Sequence, residues 1–341
     1  MRIFEGYRHG INLGGWISQC GQPDQRRVDT YLTEADIRRI KAMGLDHVRL
    51  PVDYFFLETE EGQPIAIGEQ AIDQCVSWCR DAGLSVLLDL HKAYGYTFDP
   101  VDRGADRTVF FHDEGMQARF IALWRRLSKK YGKCPNVAFD LLNEIVSPQV
   151  AEEWNGIIRR TVRAIRENAP DTWIVVGGAR YNHVTSVPEL DAREDDRIVY
   201  NFHSYDPMVF THQGARWVRN MPRDLRMDYP GDPEAYRSAT RLLNPDLADD
   251  REMSRLGPDF FEALFAPAIA HAEKSDVPLY CGEYGVIDLA DPEATLRWLR
   301  DITAVFDRHG IGRALWTYKR MDFGLIDGHY DPIREEMLKL M

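Results

Sequence analysis

The chain has 341 residues, 44% apolar and 28% charged, a balance that supports a large buried core and excludes a disordered, collagen-like or coiled-coil chain. Its formal net charge of −12 disfavours nucleic acid and anionic membranes as general partners. Aromatic residues reach 11%, with 8 Trp; beyond core packing, Trp serves most often to stack on flat ligand faces such as sugars.

Short β-rich runs alternate with amphipathic stretches from end to end. The first run, Gly10–Leu13, is followed by a helix over Thr33–Met43 that opens TEAD, an N-cap with acidic residues in its first turn. His47–Pro51 precedes a helix at Glu69–Ala82, Ser85–Leu90 one at Asp113–Tyr131, and Val137–Leu142 one at Gln149–Asn168. Trp173–Gly177 and Ile198–His203 come next. Then follow a helix at Asp259–Lys274, the run Pro278–Gly282, a helix at Pro292–His309 and the run Arg313–Thr317. Eight strand runs with helices between them predict an α/β fold, a closed (β/α)8 TIM barrel, as a single domain over residues 1–341. A doubly wound open sheet would need a Gly-rich phosphate turn after its first strand, and Gly14–Trp16 lacks that spacing.

One connection is too long for a simple loop. Roughly 55 residues separate His203 from the helix at Asp259, and connections of that length are functional or carry a subdomain. An insertion over 208–258 is expected, anchored by Phe210, Trp217, Tyr229 and Tyr236, with Arg216, Arg219, Arg223 and Arg226 for polar contacts. Cys20, Cys75, Cys79, Cys134 and Cys281 match no zinc or disulfide spacing and read as reduced structural thiols. The opening MRIFEGYRHGINLGG has no apolar leader segment, and no window approaches 18 consecutive apolar residues. The expectation is a monomer with no membrane partner, either cytoplasmic or secreted with its leader absent from this sequence.

In an α/β barrel the chemistry sits at the carboxyl ends of the strands. There HVRLP carries Arg49, LLDLHK carries His91, AFDLLNE carries Asn143 and Glu144, YNFHSY carries His203 and Tyr205, LYCGEYG carries Glu283, and ALWTY carries Trp316. Each alone has a structural explanation: an ion-pair partner, a satisfied core histidine, a helix cap, a packed indole. Together they place more polar groups at one rim than a core tolerates, unless they serve one another and a ligand. Two glutamates on opposite sides of a barrel mouth suit glycoside hydrolysis. One protonates the leaving oxygen; the other attacks the anomeric carbon or activates water. Arg49 and Tyr205 can then favour the charged form of Glu283. Asn143 can hold a sugar 2-hydroxyl, His91 and His203 can orient substrate or tune the acid, and Trp316 can form a stacking floor.

The strings GINLGGW, HVRLP, LDLH, LLNE, YNFHSY, YCGEYGV and LWTYK span residues 10 to 319. In content and order they resemble glycoside hydrolase family 5, the cellulase family of clan A. GINLGGWISQ and YNFHSYDPMVFTHQ resemble its endoglucanase C type in particular, which implies that the insertion after strand six is helical. The resemblance implies Glu144 as acid/base, Glu283 as nucleophile, and Arg49, His91, Asn143, His203, Tyr205 and Trp316 as the surrounding set. It also implies retention of anomeric configuration, no metal and no other cofactor. Lys92, where many relatives have a second His or a Gly, and Tyr94 in HKAYG depart from the pattern and bear on linkage preference.

The expected substrate is a β-glucan, β-1,4-linked or mixed-linkage β-1,3-1,4. Laminarin-like β-1,3-glucan, mannan and small β-glucosides are the alternatives within the family. A metal-dependent barrel hydrolase would want an HxH on its first strand, which GINLGGW does not offer. An inactive carbohydrate-binding barrel would keep Trp316 and lose a glutamate; both glutamates are present.

Overall fold

A computed structural model describes residues 1–102, 106–191, 195–243 and 256–341. Eight parallel strands close into one barrel in sequential order. They are β1 (His9–Asn12), β2 (His47–Asp53), β3 (Ser85–Lys92), β4 (Val137–Asp140), β5 (Ile174–Gly177), β6 (Ile198–Ser204), β7 (Leu279–Tyr284) and β8 (Gly312–Leu315). All eight expected runs are strands, with no end shifted by more than two residues. The strands are buried along almost their whole length because both faces are covered, inside by the barrel and outside by helices.

The helices obey their local signals. Thr33 and Asp36 form a capping box on the helix Glu34–Ala42. Asp113 caps Glu114–Tyr131 and Asp291 caps Pro292–His309, each accepting a backbone N–H in the first turn. Apart from single helical turns, two helices have no counterpart in the sequence reading: Gln25–Tyr31 and Arg334–Leu340. They are only 7 residues each, too short for a 3.6-residue period to stand out. Among the described residues between β5 and β6 there is no long helix; a 3-10 segment, Val184–Glu189, takes its place. No helix among the described residues is long and apolar enough to cross a membrane.

The core has two main parts, beside a small apolar cluster of Ala215, Ile287, Trp316 and Phe323 at the carboxyl rim. The larger lies between helices and barrel. The smaller fills the amino end of the barrel with Leu87, Ala138, Val175, Val199, Tyr280 and Ala314, closed from outside by Phe4 and Tyr7, which stack at 4.1 Å. The opposite end stays polar. All five cysteines are free, with Cys75 and Cys79 buried 4.0 Å apart on one helix.

The connection after β6 holds a helical turn at Met208–Thr211 and the helix Pro233–Leu243. Residues 244–255 of the expected 208–258 insertion lie outside the described residues. Phe210, Tyr229 and Tyr236 are fully buried anchors. Arg223 and Arg226 donate to carbonyls of their own segment, so they brace the loop.

Candidate active site

The site is built on a buried polar layer across the barrel. Arg49 on β2 is wholly buried and donates through all three guanidinium nitrogens. Nε reaches Asp140 at 3.1 Å, Nη1 reaches Asn12 at 3.0 Å and Glu283 at 2.7 Å, and Nη2 reaches Asn143 at 2.8 Å and Asp89 at 3.0 Å. A guanidinium suits this place because its fixed fork serves several acceptors at once and it stays charged. Burial pushes the Asp89 and Asp140 carboxyls up to about 7, against the pull of Arg49. Asn201 links Asp140 to the backbone of Gly282.

Glu283 lies within β7, directly opposite His203 of β6, because the β6–β7 register slips between Phe202 and His203. A second irregularity on the β8 side, between Cys281 and Tyr284, flanks the same residue. Such slips re-aim side chains next to functional sites. Oε1 of Glu283 accepts from Arg49 and Oε2 accepts from the Tyr205 hydroxyl at 2.9 Å.

Glu144 sits past the end of β4 on left-handed backbone, with φ +45°. That conformation costs a non-glycine residue about 1–2 kcal/mol. Its Oε1 lies 2.9 Å from Nδ1 of His203, which is 3.7 Å from Oε2 of Glu283. One oxygen of each glutamate and a ring nitrogen of His203 fall within 4.8 Å of one another. Burial raises both carboxyls, Glu144 well above its ordinary value with the Glu283 charge adding to the rise. For Glu283 the rise from burial is opposed by Arg49, His91 and Tyr205. The pair is therefore split in the direction that leaves Glu144 holding the proton. Burial keeps His203 neutral, so a protonated Glu144 donates to its Nδ1.

His91, on β3, contacts Asp89 at 2.6 Å through Nδ1 and Gln19 at 3.2 Å through Nε2. Burial lowers it to about 3, leaving it neutral. Trp316, just beyond β8, stacks over it with planes 5° apart and centroids at 5.8 Å. All eight residues singled out in the sequence thus meet at one rim. Lys92 is turned away into ion pairs with Asp99 at 3.2 Å and Asp102 at 2.8 Å, and Tyr94 lies under the guanidinium of Arg119.

The sequence reading missed Asp89, Asp140, Asn12 and Asn201, although all four stand inside the strings it used. The available signal was a charge balance: one arginine and two aspartates inside strands buried on both faces must pair with one another. It also missed Tyr96, whose hydroxyl meets the backbone at Glu144.

Glu144, His203 and Glu283 stand close enough together to ligate a cation. A cation there would compete with Arg49, which already supplies Glu283 with a positive partner at 2.7 Å. The donor set fits proton transfer better than metal binding. Among the described residues neither Asn143 Nδ2 nor His203 Nε2, both buried, has a protein partner, leaving two polar atoms of the site open to a hydroxylated ligand.

Residues 13–322 match the family model described as cellulase, glycosyl hydrolase family 5. The chain is 37% identical to Endoglucanase C of Acetivibrio thermocellus over 98% of both chains. It is 40% identical to Cellodextrinase A of Ruminococcus flavefaciens, over 89% of this chain and 83% of that one. Its fold superposes on a solved hyperthermophilic endo-β-1,4-glucanase with a TM-score of 0.77 at 20% identity, covering 98% of this chain and 97% of that one. It superposes equally on the cellulose synthase subunit Z of Clostridioides difficile, TM-score 0.77 at 23% identity, covering 97% and 99%.

Proposed function

The chain belongs to glycosyl hydrolase family 5, the cellulase family, and from that premise we propose that it is a retaining, endo-acting β-glucanase that cleaves β-1,4 and mixed-linkage β-1,3-1,4 bonds. The observation that carries the mechanism is the spacing of the two glutamates, whose nearest oxygens lie within 4.8 Å. Retaining glycosidases hold their carboxyl groups about 5–5.5 Å apart, whereas inverting ones need about 6.5–9.5 Å to seat a water.

Glu283 attacks the anomeric carbon while Glu144 gives its proton to the departing glycosidic oxygen, leaving an α-glycosyl ester on Glu283. Water then replaces the leaving sugar, Glu144 takes its proton, and the ester opens with a second inversion. Arg49 and Tyr205 stabilise the carboxylate that attacks and later departs. Asn143 has its oxygen fixed by Arg49 and its Nδ2 open, which suits a donor to the sugar 2-hydroxyl. Trp316, backed by His91, serves as the stacking floor. No step calls for a metal. The 208–258 segment belongs, in this reading, to the same catalytic domain, and its first part, residues 208–218, walls the cleft, since Trp217 packs against Phe323 and His212 beside Tyr205.

The relatives' names, Endoglucanase C and Cellodextrinase A, point to a glucan and to cellodextrins. Incubation with carboxymethylcellulose, mixed-linkage glucan, laminarin, mannan and cello-oligosaccharides distinguishes these, with NMR of the first-formed anomer. Internal cleavage of the first two with β-anomer released supports the proposal. Initial α-anomer overturns retention; action on mannan or laminarin alone overturns the substrate.

A further inference from the structure

We infer that Tyr96 is a positioning residue for the acid/base, its hydroxyl fixing the backbone that aims Glu144; this rests on the role proposed above for Glu144. The chain past β4 is still held by its neighbours at Leu141, whose N–H donates to Val175, and at Asn143, whose N–H donates to Leu90. Beyond Asn143 the ties to β3 and β5 themselves end, the Ile145 carbonyl accepting instead the N–H of Tyr181 in the connection after β5 at 2.9 Å, and Glu144 takes its left-handed conformation. A residue in such a conformation stays there only where its surroundings over-determine it.

The Tyr96 hydroxyl does this from both sides. It donates to the carbonyl oxygen of Glu144 at 2.7 Å and accepts the N–H of Val146 at 2.8 Å. The phenol is itself immobile. It is 3% exposed and meets Phe111 edge-on at 5.4 Å. Its own backbone pairs with Ala93 in both directions, at 2.9 and 3.1 Å, around Gly95. The loop carrying it is fastened at its base by Lys92, through Asp99 and Asp102, and by Thr97, whose hydroxyl donates to Asp102 at 2.6 Å. The loop after β3 therefore brings a fixed donor–acceptor to the end of β4. Without it, the contact with His203 is, among the described residues, the one side-chain hydrogen bond left to place the carboxyl.

A misplaced acid harms only substrates whose leaving group needs a proton. The test compares kcat/KM, which reports the glycosylation step, for cellotetraose and for 2,4-dinitrophenyl β-cellobioside. Their ratio within one preparation is independent of the folded fraction. Tyr96→Phe is expected to lower the cellotetraose value about 10- to 100-fold and the dinitrophenyl value less than about threefold. Equal losses on both substrates, or none on either, overturn the inference. Glu144→Gln is assayed alongside. If it loses both substrates equally, the acid/base reading fails and the inference with it. If it discriminates between them and Tyr96→Phe does not, the inference alone fails. Should Tyr96→Phe yield no folded protein, Lys92→Met loosens the same loop from its base. It must then show the same selective loss, with recovery in Lys92→Arg, and an unselective loss overturns the inference.

Discussion

Where the strands begin, His47 has both ring nitrogens occupied, by Asp46 at 2.6 Å and Tyr280 at 2.7 Å, and aromatic rings close the barrel behind it. Where they end, Asn143 Nδ2, His203 Nε2, Asp89 Oδ1 and both side-chain polar atoms of Asn182 are buried with no partner among the described residues. The backbone differs in the same way. Among the described non-glycine residues with positive φ, Asp276 alone lies in a loop that enters a strand. Gln19, Glu144, Arg180–Asn182, Asn220 and Arg320–Asp322 all lie in connections that leave one. At the amino end Arg313 Nε and Asn136 Oδ1 are exceptions to full pairing, yet the contrast is clear. One end is packed and satisfied; the other keeps strain and open hydrogen-bonding capacity, as a site that binds and turns over a ligand requires.

The contrast breaks if removing a rim carboxyl spares turnover. Glu283→Ala is expected to lower kcat/KM on soluble β-glucan about 10⁴-fold or more, with the circular dichroism spectrum unchanged. Azide should then give an α-glycosyl azide; a β-glycosyl product would exchange the roles of the two glutamates.

The acid–base division sharpens it. The proposed roles require Glu144 protonated and Glu283 ionised in the free enzyme. Activity should fall as pH rises through the raised value of Glu144 and as pH drops through that of Glu283. Because burial raises both, the acid limb should lie above the ordinary glutamate value of about 4.3. A pH–kcat/KM profile lacking either limb argues against the division.

At the packed end the expected effect is on stability. A methyl group on Gly10 would lie 2.2 Å from the His47 ring, so Gly10→Ala should cost about 3 kcal/mol in a denaturant melt. Its kcat/KM, measured well below the transition, should stay within twofold of the parent. A large catalytic loss in a stably folded variant would couple the two ends and erase the distinction.

The smallest effect has the opposite sign. Asp53, at the rim end of β2, is fully buried, and burial pushes its carboxyl up to about 7. A carboxyl raised on folding contributes stability below its unfolded value, near pH 4, that is lost as pH rises through the folded one. Asp53→Asn should therefore leave the melting temperature unchanged at pH 4. At pH 8 it should stabilise the protein by about 1–2 kcal/mol. Destabilisation at pH 8 would show that the charge is compensated there and that this part of the rim is not strained.

The alternation of apolar runs with capped, amphipathic stretches was legible because each helix and strand carries its own period and stop signals. Arg49, His91, Glu144, His203 and Glu283 stood out because polar groups at the ends of buried strands have no local explanation. Asp89 and Asp140 were passed over for a related reason. Their partner is 91 positions away in the case of Arg49 and Asp140, and a one-dimensional reading does not add charges across strands. Tyr96 looked like one more aromatic in a loop, since its function lies in a hydroxyl directed at backbone 48 residues on.

The sequence by itself determined the number and order of the strands, the caps of the long helices and the residue types gathered at one end of the barrel. These follow from periodicity and propensity, which act over a few residues. Tertiary structure decided how those residues face one another. The register slip that sets His203 opposite Glu283, the convergence on Arg49 from β1, β3, β4 and β7, and the left-handed turn at Glu144 held by Tyr96 depend on closing the ring. Barrel closure fixes strand stagger collectively, and no single segment contains that information.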